Sequence, residues 1–224
     1  MRRTAKPSIL IVDDHELLAQ TLALALRGRG HEADVVVVES VDTIVKEVRA
    51  RKPELVLLDL ELGKELGPST PLIPALRETG AVVLVLTGIT DRTALAETLE
   101  AGAVGVVAKS QAFDEVVEVI GRVLAGQAAM RAGERENLLG ALRASRSADE
   151  ARLAPFRALT DREAAVLAGL LVGKTAEQVA EESFVAVTTV RSQIRSLLRK
   201  LGVNSQLQAV ALARDAGWVP RSSS

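Results

Sequence analysis

Five short apolar runs recur between residues 9 and 109, each followed by an amphipathic stretch, and this alternation restricts the fold more than any other feature. The runs are ILIV (9–12), DVVVV (34–38), LVLLDL (55–60), VVLVLT (82–87) and VGVVAK (104–109). They are rich in Val, Ile and Leu and do not alternate with polar residues, so both faces of each strand must be covered. The stretches 15–27, 41–51, 69–79, 91–101 and 112–125 carry helical spacing, as in Leu17, Leu18, Leu22, Ala25 and Leu26. Gly28, Gly30, Pro53, Gly80 and Gly102 punctuate the joints. Strands alternating with helices in this way predict a five-stranded parallel, doubly wound α/β domain over residues 1–126.

The rest of the chain changes character. Residues 127–158 are poor in strand formers and rich in Arg, Ala and Glu. They read as a linker with a short helix around Glu134–Arg146, in which Leu138, Leu139 and Leu142 make at most a small contact stripe. From Leu159 only helical spacing appears. LTDRE and KTAEQ each contain a capping box, Thr160 with Glu163 and Thr175 with Gln178. Helices are expected at 161–172, 175–183, 188–201 and 205–216, ended by Gly173, Gly202 and Gly217. A small all-α domain is therefore expected at 159–219. Charge divides along the same line: residues 1–128 carry 14 Lys+Arg against 19 Asp+Glu, and residues 129–224 carry 14 against 10. Opposite signs suggest two domains with different partners.

Several classes are excluded at the outset. There is no cysteine, so disulfides and thiolate metal sites are impossible. Three Phe, one Trp and no Tyr leave little for base stacking on aromatic platforms. The opening apolar run is only four residues long before it meets Asp13, too short for a signal peptide, and no run approaches a membrane span. A cytoplasmic protein without membrane contact is the expectation.

The strands end in chemistry. The first ends in Asp13 and Asp14, the third in Asp59, the fourth in Thr87 and the fifth in Lys109. Functional groups of a parallel sheet gather at the carboxyl ends of its strands. Taken singly, each acid is equally well explained as a helix cap, and Asp14 in particular fits that role. Taken together, three converging carboxylates need a cation. Oxygen-only ligands with no His or Cys taken to be among them favour a hard ion such as Mg2+. An ion beside a free carboxylate suits phosphoryl transfer: Asp59 as nucleophile, Lys109 sharing the incoming charge, Thr87 donating to a phosphoryl oxygen. His15, with no second histidine near it in sequence, reads as a first-turn helix residue.

VDD, LLDL, LTG and VAKS, in this order, resemble the receiver domain of bacterial two-component response regulators across residues 8–126. The resemblance implies a flavodoxin-like sheet of order 2-1-3-4-5 and phosphorylation of Asp59 by a partner histidine kinase. It also implies Mg2+ bound by Asp13 or Asp14, Asp59 and the backbone carbonyl of Glu61, with Gly67 closing the loop after the phosphorylated strand. Two departures stand out. ELGKELG replaces the usual Met-Pro after the phosphoacceptor, and Val106 stands where an aromatic usually turns inward on activation.

TTVRSQIRSLLRKLG (188–202) sets Val190, Ile194, Leu197, Leu198 and Leu201 on one face. Arg191, Arg195 and Arg199 fall opposite at i+4 steps with Lys200 beside them, among Thr188, Thr189, Ser192, Gln193 and Ser196. A cationic helix interleaved with short hydrogen-bonding side chains suits a DNA groove. A capped helix and the turn FVAV precede it, which is helix-turn-helix spacing. Residues 159–211 resemble the LuxR-type DNA-binding domain through LT-RE, AEQVAEESFV, TVRSQI and KLGVNSQ. That resemblance places a dimer contact on the helix at 205–216 and implies a homodimer on DNA. Ser183 and Ala186 replace a usual Leu and Ser, which predicts a turn less tightly packed and capped. Trp218 is expected to pack rather than to stack on bases.

Together the resemblances describe a NarL/FixJ-type response regulator, a phosphoacceptor followed by a DNA reader, with no turnover of an external substrate. One alternative is a transcription factor that ignores phosphorylation and uses the receiver to dimerise. The other is a Mg2+-dependent phosphohydrolase, against which Glu61 counts: haloacid-dehalogenase chemistry requires Asp-x-Asp at that point.

Overall fold

The computed structural model describes residues 8–220. The chain divides into two compact units, residues 1–143 and 144–224.

In the first unit, β1 (Ser8–Val12), β2 (Glu32–Val36), β3 (Leu55–Asp59), β4 (Val82–Thr87) and β5 (Gly105–Ala108) form one parallel sheet of order β2-β1-β3-β4-β5. The apolar runs are continuous because alternate residues of each strand feed two different cores. Ile9, Ile11, Leu55, Leu57, Leu84 and Leu86 pack against α1 (Glu16–Gly28) and α6 (Phe113–Leu124). Leu10, Val12, Val56, Leu58, Val83 and Val85 pack against α2 (Val41–Arg51) and α4 (Ile73–Glu78). Burying each such Leu, Ile or Val contributes about 1.5–3 kcal/mol. A one-residue slip of any strand would exchange the two sets, but both faces are apolar, so the sheet's register rests on its helical connections.

Two elements differ from expectation. β2 lies two residues earlier than the DVVVV run, because its partner β1 ends with Val12 opposite Val36 and leaves Val37 exposed. The 69–79 region is not one helix. A 3-10 turn (Thr70–Leu72) precedes α4, each with a proline at its start, where the missing N–H costs nothing. Before them the ELGKELG segment folds into the four-residue α3 (Gly63–Leu66).

The stretch read as a linker is more ordered than a tether. Residues Glu134–Arg157 form one 24-residue helix, α7, whose first part belongs to the first unit. There Leu138 and Leu142 are buried against Ala96 and Leu99 of α5 (Arg92–Ala101), with Val106 and Met130 at the edge. Leucines spaced i, i+4 found an apolar face that composition did not advertise.

The second unit holds the end of α7, α8 (Asp161–Leu171), α9 (Ala176–Glu182), α10 (Val187–Leu201) and α11 (Gln206–Asp215). Val190, Ile194, Leu197 and Leu201 of α10 fill its core with Val166, Leu167 and Leu170 of α8. Both capping boxes form. Phe156 stacks on Trp218 at 5.5 Å, so the tryptophan packs as expected. Ala186 caps α10 without a side-chain bond. Among the described residues no helix is long and apolar enough to cross a membrane.

Candidate functional site

Strand order reverses at β1, whose neighbours are β2 and β3, and the acids sit at that switch point. Asp13 follows β1 and Asp59 ends β3. Both are buried, at 5% and 4% exposure, whereas Asp14 is exposed. Lys109, just beyond β5, reaches back so that its Nζ lies 2.7 Å from both Asp13 Oδ2 and Asp59 Oδ2. Thr87, at the end of β4, is buried, and its hydroxyl oxygen accepts the Ile89 amide at 3.0 Å. Asp13, Asp59 and Lys109 are therefore brought into contact, while Thr87 ends the neighbouring strand with its hydroxyl engaged by the Ile89 amide.

Burial pushes the Asp59 carboxyl up from its ordinary pKa, and the neighbouring Asp13 charge adds to this, with Lys109 opposing both. Burial works against the Lys109 ammonium, but the two carboxylates outweigh it and hold its pKa above the usual value. A single ammonium thus serves two buried acids while a third acid stands beside them. One donor atom each from Asp13, Asp14, His15 and Asp59 lies within 4.8 Å of all the others. The three crowded, under-compensated carboxylates of this group fit a hard divalent cation, and the His15 imidazole stands beside them.

Three contributors were not legible beforehand. The Nδ1 of His15 lies 2.9 Å from Asp14 Oδ1 and 3.2 Å from Asp13 Oδ1, so the imidazole joins the acids although it also opens α1. Its adjacency to VDD was the available signal. Ser69, buried at 1% exposure, donates from Oγ to the Asp59 carbonyl at 2.6 Å and fastens the backbone that carries the carboxylate. In sequence it looks like an ordinary serine at the start of a helical stretch. Gly63 has φ +77°, and a side chain there would meet Asp14 Oδ2 at 3.1 Å. Gly67, at φ +67°, returns its amide to Gly63, and Glu61 pairs with Pro68, so the ELGKELG segment closes as a compact loop beside the acids.

On α10 the side chains of Thr188, Thr189, Arg191, Ser192, Arg195 and Arg199 are exposed. The cations are not equivalent. Arg191 pairs with the exposed Glu177 at 2.8 Å. Lys200 is turned inward: its Nζ lies 2.6 Å from Glu163 Oε2, an oxygen that also accepts from the Thr160 amide and hydroxyl. Lys200 therefore ties α10 to α8 and is not presented with the arginines.

The family profile described as "Response regulator receiver domain" matches residues 9–121, and "Bacterial regulatory proteins, luxR family" matches residues 157–213. Among curated proteins, the DNA-binding transcriptional activator DevR/DosR of Mycobacterium tuberculosis is 30% identical over 92% of this chain and 94% of its own length. The nitrate/nitrite response regulator protein homolog of Haemophilus influenzae is 29% identical over 92% and 96%. Among solved structures, the response regulator RcsB in its DNA complex aligns at TM-score 0.50 with 19% identity, over 94% of this chain and 98% of its own. A LuxR-family response regulator from Aurantimonas sp. aligns at 0.52 with 24% identity, over 62% and 99%. These two likenesses describe the fold. The chain belongs to the two-component response regulators in which a receiver domain precedes a LuxR-type helix-turn-helix, a family of DNA-binding transcription regulators for which control by phosphorylation is the norm.

Proposed function

We propose that Asp59 is the phosphoacceptor of this regulator and that its phosphorylation controls DNA binding through α10. The observation that carries the reading is the shared 2.7 Å contact of Lys109 with Asp13 and Asp59 at the switch point of the sheet. It keeps a buried carboxylate poised at a place where further charge can be received.

Mg2+ fits the donor set, with the carboxylates of Asp13, Asp14 and Asp59 and the backbone carbonyl of Glu61 as the groups that would hold it. When bound, the ion supplies charge neutralisation for an incoming phosphoryl group. The remaining steps belong to the chain. An Asp59 oxygen attacks the phosphorus of a phosphohistidine on the sensor kinase; the P–N bond breaks and its electron pair returns to the imidazole. Lys109 exchanges part of its contact with Asp59 for the phosphoryl oxygens. Thr87 turns its hydroxyl proton toward one of them. The added charge is roughly −1.5 to −2.

For DNA recognition, Thr188, Thr189, Arg191, Ser192, Arg195 and Arg199 form the reading surface, and Lys200 supports it from behind. The protein acts as a homodimer, as inverted half-sites require of a two-fold reader. A phosphorylation-independent regulator is the second reading, favoured by Val106, which offers no ring to rotate. Treating wild type and Asp59→Ala with a small acyl phosphate and Mg2+ separates the two. Wild type should gain the mass of one phosphoryl group and change its DNA affinity, and the variant should do neither. Identical mass and affinity in both would sink the switch.

A further inference from the structure

The segment between the two units is fastened to the receiver at one face, and it is fastened by specific chemistry. Arg135, in the first turn of α7, donates from its two terminal nitrogens to the carbonyls of Ala103 (2.8 Å) and Leu99 (3.0 Å). Leu99 is in the last turn of α5 and Ala103 just beyond it, at the helix C-terminus, whose dipole attracts a cation; the Leu99 carbonyl also accepts the Gly102 amide. One and two turns further on, Leu138 and Leu142 are 5% and 4% exposed against Ala96 and Leu99. Before the helix starts, Ala129 and Met130 lie over β5. A methyl group built on Gly105 would stand 2.4 Å from the Ala129 Cβ and 3.2 Å from Met130 Cγ. Val106, the residue in place of the usual aromatic, borders the same cluster.

The anchor points are linked to the strand that carries Thr87 through one loop and α5. The Thr87 hydroxyl accepts the Ile89 amide, and Ile89 packs in one cluster with Ala94, Leu95 and Val106. A Thr87 that moves toward a phosphoryl oxygen takes the loop leading into α5 with it. The far end of α5 is where Arg135 holds on. Two hydrogen bonds from one planar guanidinium tolerate little displacement of their acceptors, because bonds to the carbonyls weaken steeply off axis.

We infer that residues 129–142 are a latch on the α5–β5 face, closed in the unphosphorylated protein and released when Asp59 is phosphorylated. This rests on the proposed role of Asp59. The latch takes over the part that a rotating aromatic would play, since release frees the chain leading to the DNA reader and uncovers the α5–β5 face. Gly105 is a requirement of the closed state, because only a residue without Cβ admits Ala129 so near.

The test is hydrogen exchange of the full chain, with and without acetyl phosphate and Mg2+, with intact mass read on the same samples. In wild type, phosphorylation should raise the exchange rates of amides in residues 134–143 at least five-fold while the β1 and β3 amides stay protected. Gly105→Ala and Arg135→Ala should show the fast exchange without phosphodonor, with the sheet still protected. A wild type that gains the phosphoryl mass yet keeps 134–143 protected overturns the latch and leaves the phosphoacceptor reading intact. A wild type that gains no mass overturns both. Slow exchange of 134–143 in both variants shows that these contacts do not hold the segment, which also overturns the latch.

Discussion

Lys200 lies 2.6 Å from Glu163, which joins α10 to α8 through an oxygen that also completes a capping box. Burial tends to raise the Glu163 pKa, but Lys200, the Thr160 amide and the hydroxyls of Ser196 and Thr160 outweigh it and bring the carboxyl down to about 2. A depressed carboxyl stabilises the fold above its unfolded pKa of 4.5, and the stabilisation is lost as pH falls from there toward 2. The thermal stability of the C-terminal unit should therefore fall through that window in wild type. Glu163→Gln should be less stable at pH 7 and show a flatter pH dependence. Parallel pH profiles for the two proteins would exclude this pair as the cause.

The same pair reorders the cations of α10. Arg195→Ala and Arg199→Ala should each weaken binding to DNA across sequences and lower the salt dependence by about one phosphate contact. Lys200→Ala should leave the salt slope close to that of wild type and lower thermal stability instead, because it strands the buried Glu163. Binding isotherms at several salt concentrations decide it: a salt slope reduced as much by Lys200→Ala as by Arg195→Ala would return Lys200 to the DNA surface.

Strand ends were legible because a continuous apolar run that stops at Asp13, Asp59, Thr87 or Lys109 fixes both a position and an edge of the sheet. The apolar stripe of α10 was legible for the same kind of reason: Val190, Ile194 and Leu201 obey one period. What sequence could not show are contacts made by segments without a period. Ser69 and Gly63 reach the acids only because the 60–69 loop closes on itself. His15 looked like an ordinary helix start, since nothing in linear order says that its ring folds back over Asp13 and Asp14. Leu138 and Leu142 had visible spacing but an invisible partner, and so α7 read as a tether. Lys200 differed from Arg199 only by the buried acid it would meet.

The loop after Asp59 makes a sharper demand than the motif suggests. Gly63 combines φ +77° with a 3.1 Å approach to Asp14 Oδ2 at the place a side chain would occupy. Gly63→Ala should carry backbone strain of order 1 kcal/mol and push the Asp14 carboxylate aside. Mg2+ affinity, followed by calorimetry, should fall several-fold with the fold retained. Unchanged affinity would show that Asp14 is not held where the loop places it.

Helix α10 starts without a cap, because Ala186 occupies the N-cap position with extended backbone angles and offers no acceptor. Ala186→Ser should supply one and stabilise the C-terminal unit by about 1 kcal/mol. Thermal denaturation at neutral pH measures it, and a variant no more stable than wild type would mean that solvent already satisfies those amides.

Lys109 is the ammonium that two buried carboxylates share, with Nζ 2.7 Å from each. Lys109→Met keeps the length of the side chain and removes its charge, leaving Asp13 and Asp59 to repel each other in a site with little water. Removing one partner of a buried ion pair costs about 3 kcal/mol at the lower end of the usual range, which suits an ammonium that is still partly exposed. The loss should be full in the presence of a chelator, and millimolar Mg2+ should recover part of it, because a divalent cation bound only to the folded state adds its own binding free energy to stability. Wild type, already compensated by the ammonium, should gain less from the same addition. The comparison is made by chemical denaturation of both proteins with and without Mg2+. Equal gains would mean that ammonium and metal do not relieve the same repulsion, and the acids at the switch point would then need a different account.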